Sequence, residues 1–95
     1  MSGFSEEMIK DFFTKCDKDV LNSFIYEKLN ILSETEKRVL CLKYCEKLPM
    51  KCVAADIQRS ERYTKALHKS AIEKSLPVVY CFVLQAFSKS LMGDD

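Results

Sequence analysis

The chain is poor in residues that turn a backbone. It has two glycines and two prolines in 95 positions. A many-stranded β fold needs repeated Gly- or Pro-bearing turns, so this shortage argues for helices joined by brief loops. Long apolar runs are also missing. The longest, Val78 to Leu84, covers seven residues, against the ~20 that a membrane-spanning helix needs. The opening MSGFSEEMIK lacks the basic-then-apolar order of a signal peptide. The expectation is an intracellular chain with no membrane partner. No Gly-rich phosphate loop occurs, which argues against nucleotide binding.

Histidine occurs once, at His68. The five cysteines are Cys16, Cys41, Cys45, Cys52 and Cys81. An odd number in a non-secreted chain is not a disulfide framework. Cys41, Cys45 and Cys52 could lie close together, but a metal site wants a fourth ligand and only His68 could add an imidazole. The thiols therefore read as small apolar side chains, with no metal and no cofactor expected. Ser33 and Ser60 read as helix caps rather than nucleophiles, since neither has a His or acid at a recognisable spacing. With no nucleophile, base and orienting group together, the chain does not read as an enzyme.

What remains is a single domain over residues 1–95, 47% hydrophobic and 31% charged, a globular rather than a disordered balance. Its net charge of +1 hides a segregation. Residues 1–36 carry four lysines against eight acidic residues, net −4. Residues 37–76 carry ten Lys/Arg against four acids, net +6, and residues 77–95 are at −1. A basic middle between acidic or apolar flanks can hold a polyanion on one face.

Apolar periodicity places the helices. Ser5 can cap a first helix striped by Met8, Ile9, Phe12, Phe13 and Cys16. Asp17 or Asp19 can cap a second, striped by Val20, Leu21, Phe24, Ile25 and Leu29, with Lys28 near its C-terminal end. Ser33-Glu34-Thr35-Glu36 has the pattern of a capping box. The helix that follows is expected over about 34–47, with Val39, Leu40, Leu42 and Tyr44 apolar, until Leu48-Pro49 stops it. A short helix from Met50 to Ile57 buries Val53, Ala54 and Ile57, and Gln58-Arg59 breaks it. Ser60 then caps a helix to about Lys74. Ser60, Thr64, Leu67 and Ala71 fall on one side of it, and Arg62, Lys65, Ala66, Lys69 and Glu73 on the other. Tyr44 reads as core and His68 as a boundary side chain. Pro77 either starts a new helix or kinks the previous one. The segment after it is apolar nearly all round, fit for the core or for half of a dimer interface. The expected fold is all-α, a compact bundle of five or six short helices containing a helix-turn-helix. It divides into an N-terminal pair (1–31), the helix-turn-helix (32–76) and a C-terminal helix (77–95).

A short helix, a tight turn and a second helix that is basic outward fit a helix-turn-helix. Residues 32–76, LSETEKRVLCLKYCEKLPMKCVAADIQRSERYTKALHKSAIEKSL, sharpen this. They resemble region 4 of bacterial sigma factors and small phage regulators built on the same motif. The resemblance rests on Leu32-Ser33 with Glu36, Arg38-Val39-Leu40, Leu42 and Tyr44. It continues through Met50-Lys51, Val53-Ala54, Ile57, Ser60, Lys65, Leu67 and Ala71-Ile72, over roughly half the chain and without gaps. Three positions depart from the family: Gln58 stands where Gly is usual, Arg59 where an apolar residue is usual, and Cys52 where an acid is usual.

The resemblance implies a recognition helix starting at Ser60, with Arg62, Lys65, Ala66 and Lys69 facing the groove and Lys51 near the start of the bracing helix. The implied function is a DNA-binding transcriptional regulator, bacterial or phage, acting in the cytoplasm on double-stranded DNA. No stretch resembles the sigma region that melts promoters, so a complete sigma factor is not expected. One such helix makes few base contacts, which favours a homodimer. Val79, Phe82, Val83, Ala86 and Phe87 are the expected dimer contacts. The alternative is a phage-encoded interaction module with a degenerate helix-turn-helix that binds RNA polymerase or another host protein.

Overall fold

The computed structural model describes residues 6–92, with side chains as far as Gln85. It is all-α. Five helices make up the described residues: α1 (Glu6–Lys15), α2 (Lys18–Lys28), α3 (Glu34–Leu40), α4 (Met50–Ile57) and α5 (Glu61–Met92). One turn of π-helix, Cys41–Cys45, extends α3. No strand occurs among the described residues, and no helix is long and apolar enough to cross a membrane.

The N-terminal stripes fold largely as their spacing predicts. Ile9 and Phe13 are fully buried, as are Leu21, Ile25 and Leu29, with Phe24 nearly so. Phe12 and Cys16 pack at the edge of this core. Met8 (44% exposed) and Val20 (60%) lie outside it, because they sit at the margins of their stripes where no facing helix covers them. Ser5 lies outside the described residues. Asp17, rather than Asp19, caps α2, accepting from the Asp19 N–H at 3.2 Å. Only Cys45 is a buried thiol; Cys16 and Cys41 are half-buried. Burial raises all three, Cys45 to about 12, so they are poor nucleophiles. Cys52 and Cys81 are exposed, which corrects the apolar reading for those two.

The capping box forms. Ser33 Oγ accepts from the Glu36 N–H at 3.2 Å, and Glu36 Oε1 from the Ser33 N–H at 2.9 Å. The third helix does not run to residue 47. It widens into the π turn, closed by the Glu46 N–H on the Cys41 carbonyl at 3.0 Å. Lys47 then takes a left-handed conformation (φ 59°) ahead of Leu48-Pro49. The wide turn leaves Tyr44 and Cys45 buried. Tyr44 lies against the Phe13 ring, at a centroid distance of 5.3 Å.

Of the two outcomes open at Pro77, the chain takes the continuing one: α5 is one helix of 32 residues with Pro77 inside, running past the expected end near Lys74. Proline there removes a hydrogen bond to the residue 73 carbonyl and costs about 3 kcal/mol in a helix interior. Pro77 lies on the exposed side of the helix. On the opposite side Ala71, Ile72, Ser75 and Val79 are fully buried, and carrying them across the core offsets the cost. At 1.5 Å per residue the helix is about 48 Å long, close to the molecule's longest dimension of 51 Å. The radius of gyration, 14.2 Å, exceeds the ~12 Å of a round domain this size. The outer end of α5 therefore projects beyond the bundle.

Candidate nucleic-acid interface

Two contacts from α3 set the position of α4 and α5. The Arg38 Nε donates to Asp56 Oδ1 on α4 at 2.7 Å. Glu36, buried at the start of α3, reaches α5: it accepts from the Ser70 hydroxyl at 2.9 Å and from Lys74 Nζ at 3.1 Å on both oxygens. Burial pushes the Glu36 carboxyl up. The bonds from the Ser33 backbone, Ser70 and Lys74, with the Lys74 charge, outweigh that and hold it below its ordinary value. The sequence shows Glu36 as a cap; that it also fastens α5 is visible only in three dimensions.

Helix α4 buries Val53 and Ala54 and half-buries Ile57. It ends where expected, at Gln58, which is left-handed (φ 60°, ψ 46°). The Gln58 N–H bonds to the Ala55 carbonyl at 3.2 Å and the Arg59 N–H to the Ala54 carbonyl at 3.0 Å, the hydrogen bonding of a glycine-type C-cap. A Cβ in this conformation costs about 1 kcal/mol. Gln58→Gly is therefore expected to raise stability by about 1 kcal/mol. An unchanged or lower midpoint in urea unfolding would show that the left-handed turn does not persist in solution.

Ser60 caps α5, its Oγ accepting from the Tyr63 N–H at 3.1 Å. Thr64 is fully buried and returns its hydroxyl to the Ser60 carbonyl at 2.8 Å. The outward side of α5 is as expected, with Arg62, Lys65, Ala66, Lys69 and Glu73 exposed; on the inner side Thr64 and Ala71 are buried and Leu67 half-buried, but Ser60, at the cap, is exposed. Lys51 is exposed as well. Lys69 is ion-paired with Glu73 at 3.5 Å, so part of its charge is compensated.

Charge compensation separates this region from the rest. Among the described residues, seven cations pair with a carboxylate: Lys10, Lys15, Lys18, Lys37, Arg38, Lys69 and Lys74. Seven have no such pair, and six of these, Lys43, Lys47, Lys51, Arg59, Arg62 and Lys65, fall between residues 43 and 65; the seventh is Lys28. Arg59 lies over the exposed Tyr63 ring, 5.4 Å from its centroid. The sequence reading left Lys43, Lys47 and Arg59 out of the reading face. Their spacing to basic neighbours was a usable signal, but which acids neutralise which cations depends on helix packing.

His68 occupies an inward position, almost buried rather than at the boundary. Its Nε2 shares a 2.8 Å hydrogen bond with the Tyr44 hydroxyl, the two rings stacked with centroids 5.7 Å apart. Burial, with the Lys43 and Lys10 charges, lowers the imidazole to about 4. Burial also raises the Tyr44 phenol to about 12. Between pH 6.5 and 4 the unfolded chain binds a proton at His68 that the folded chain refuses. Stability should therefore fall as pH drops through that window, by about 2 kcal/mol after allowing for solvent at the ring edge. His68→Leu should remove this slope from unfolding midpoints measured at successive pH values. A slope unchanged in the variant would assign it to another group.

Of the expected dimer contacts, Val79 is fully buried in the chain's own core and is not available to a partner. Phe82 and Val83 are exposed. The side chains of Ala86 and Phe87 lie outside the described residues. Comparison with protein-family models, curated proteins and solved structures finds no match to this chain.

Proposed function

We propose that the chain is a DNA-binding transcriptional regulator of the sigma region 4 type. In this reading α4 braces α5, and the first turns of α5 enter the major groove. The observation that carries the reading is the block of unpaired cations between residues 43 and 65, in a chain whose other cations, Lys28 apart, are paired wherever they are described. Leaving like charges uncompensated on one region costs self-repulsion, which a polyanion relieves. Arg62, Lys65 and Ala66 would meet base edges. Lys51, Arg59 and Lys69 would meet phosphates. The setting is the cytoplasm of a bacterium or a phage-infected cell, and the working form is a homodimer.

A gel shift with nonspecific duplex DNA at low salt tests the reading. Binding should weaken steeply with salt, with a log–log slope near −5 if about six cations each displace one counterion. No shift at low salt would end the DNA reading. It would favour the second one, an interaction module for RNA polymerase or another host protein. The exposed Phe82, Val83 and Leu84 on the outer part of α5 favour that alternative.

A further inference from the structure

The Arg59 side chain, in the turn before α5, does not extend freely into water. Its guanidinium lies over the ring of Tyr63, four residues on, 5.4 Å from the centroid. The backbone holds both partners in place. The Arg59 N–H donates to the Ala54 carbonyl at 3.0 Å, and the Tyr63 N–H donates to the Ser60 hydroxyl at 3.1 Å. Tyr63 is 48% exposed and takes no part in the hydrophobic core. Its ring therefore serves the surface rather than the packing of the fold.

The surrounding charges indicate what that service is. Arg59, Arg62 and Lys65 fall within seven residues, all exposed, and none has a carboxylate pair. Glu61 stands only two residues from Arg59 and makes no ion pair with it. Like charges so close repel, and a long arginine gains rotamer freedom by swinging away. A ring face beneath the guanidinium opposes both tendencies. It fixes the plane of the group and leaves the N–H edge uncovered. A planar donor held in advance loses less freedom on meeting a two-oxygen acceptor such as a phosphate. We propose that Tyr63 is a positioning residue of the nucleic-acid interface, its ring holding the Arg59 guanidinium ready for a backbone phosphate beside the start of α5. This rests on the DNA reading and deepens it: an aromatic side chain, and not the cations alone, sets part of the affinity.

Fluorescence anisotropy with nonspecific duplex DNA at several salt concentrations tests it, with circular dichroism confirming that each variant is folded. Arg59→Ala should lose about tenfold in affinity at ~50 mM salt and shrink the salt slope by about 1. Tyr63→Ala should lose about twofold to fivefold, the size of an exposed cation–π contact. Its salt slope should be kept, because no charge is removed. Tyr63→Phe keeps the ring and should bind as the original does. In the Arg59→Ala background, Tyr63→Ala should cost nothing further. Losses that add in the double variant overturn the proposal while leaving the DNA reading standing. So does a Tyr63→Phe loss equal to that of Tyr63→Ala, which would give the hydroxyl its own contact with DNA. The pair is also read without DNA. The Arg59 Nε–H resonance of the free chain should be displaced by the ring in the original and in Tyr63→Phe, and should return to the position of an ordinary exposed arginine in Tyr63→Ala. No displacement in the original overturns the proposal even where DNA binds. A displaced resonance in a chain that shifts no duplex ends the DNA reading, and the phosphate role of the pair with it.

Discussion

On the proposed DNA-binding reading, replacing Arg62 and Lys65 by alanine should lower affinity for specific DNA by about tenfold to a hundredfold each, in the range of one lost base-edge contact. The folded state should be unaffected. Both side chains are exposed on α5 and neither has an ion-pair partner among the described residues, so each change costs less than about 0.5 kcal/mol of stability. Lys51→Ala behaves differently. A phosphate contact carries no sequence information, so affinity drops uniformly over DNA sequences and the salt slope shrinks by about 1. Lys28→Ala is the internal control: among the described residues it is the one cation outside the block with no carboxylate pair, and its loss should change nothing. Fluorescence anisotropy on a selected duplex, read beside thermal melts, checks all four. Wild-type affinity in both the Arg62 and Lys65 variants would remove these residues from the reading face. An equal loss with Lys28→Ala would reduce the effect to overall charge.

Glu36→Ala should lower stability by about 3 kcal/mol. Three interactions end together: the return bond of the capping box, the Ser70 hydroxyl bond and the two-oxygen contact with Lys74. Loss of a buried charged acceptor sets the scale. The Lys74 side chain is 44% exposed and can turn to water, which keeps the cost below that of a stranded buried charge. For a domain of this size the melting temperature should fall by about 15 °C. Glu36→Gln keeps the shape but not the charge, and should lose about half as much.

The pH dependence identifies the group. The folded-state carboxyl titrates below its ordinary value. Its stabilisation is therefore present above the ordinary carboxylate range and is lost as pH falls through the folded value. This acid limb sets in at the acid end of the His68 window, continues below it, and is absent from the glutamine variant. A loss under about 1 kcal/mol in Glu36→Ala would show that α3 and α5 are held by apolar packing alone. DNA affinity in this variant should recover on cooling as the chain refolds, whereas the Arg62 and Lys65 losses should persist at every temperature.

These two experiments probe features that differ in how visible they are in a sequence. The Ser33–Glu36 box, the Met50–Ile57 helix and the outward side of Arg62 to Glu73 could be read directly, and the cap of α2 to a choice between Asp17 and Asp19. Each depends on groups two to four residues apart, whose geometry helical rise alone dictates. Gln58 could likewise be placed at the break, since the residue that ends α4 must reverse its backbone whatever its side chain.

What could not be read involves partners distant in the chain. Glu36 meets Lys74 across 38 positions and Tyr44 meets His68 across 24. The outcome at Pro77 belongs here too. Local chemistry alone leaves a new helix and a continuing one both open, and burial of Ala71, Ile72, Ser75 and Val79 against the other helices tips the balance. The same holds for charge. Ten basic residues between 37 and 76 are countable from the string, but Arg38 is neutralised by Asp56 and Lys74 by Glu36 only once the helices have packed. Spacing along one helix is set by covalent geometry and hydrogen bonding within a few residues. Which helix faces which, and so which cations remain free for a polyanion, follows from the shared burial of side chains that no local rule brings together.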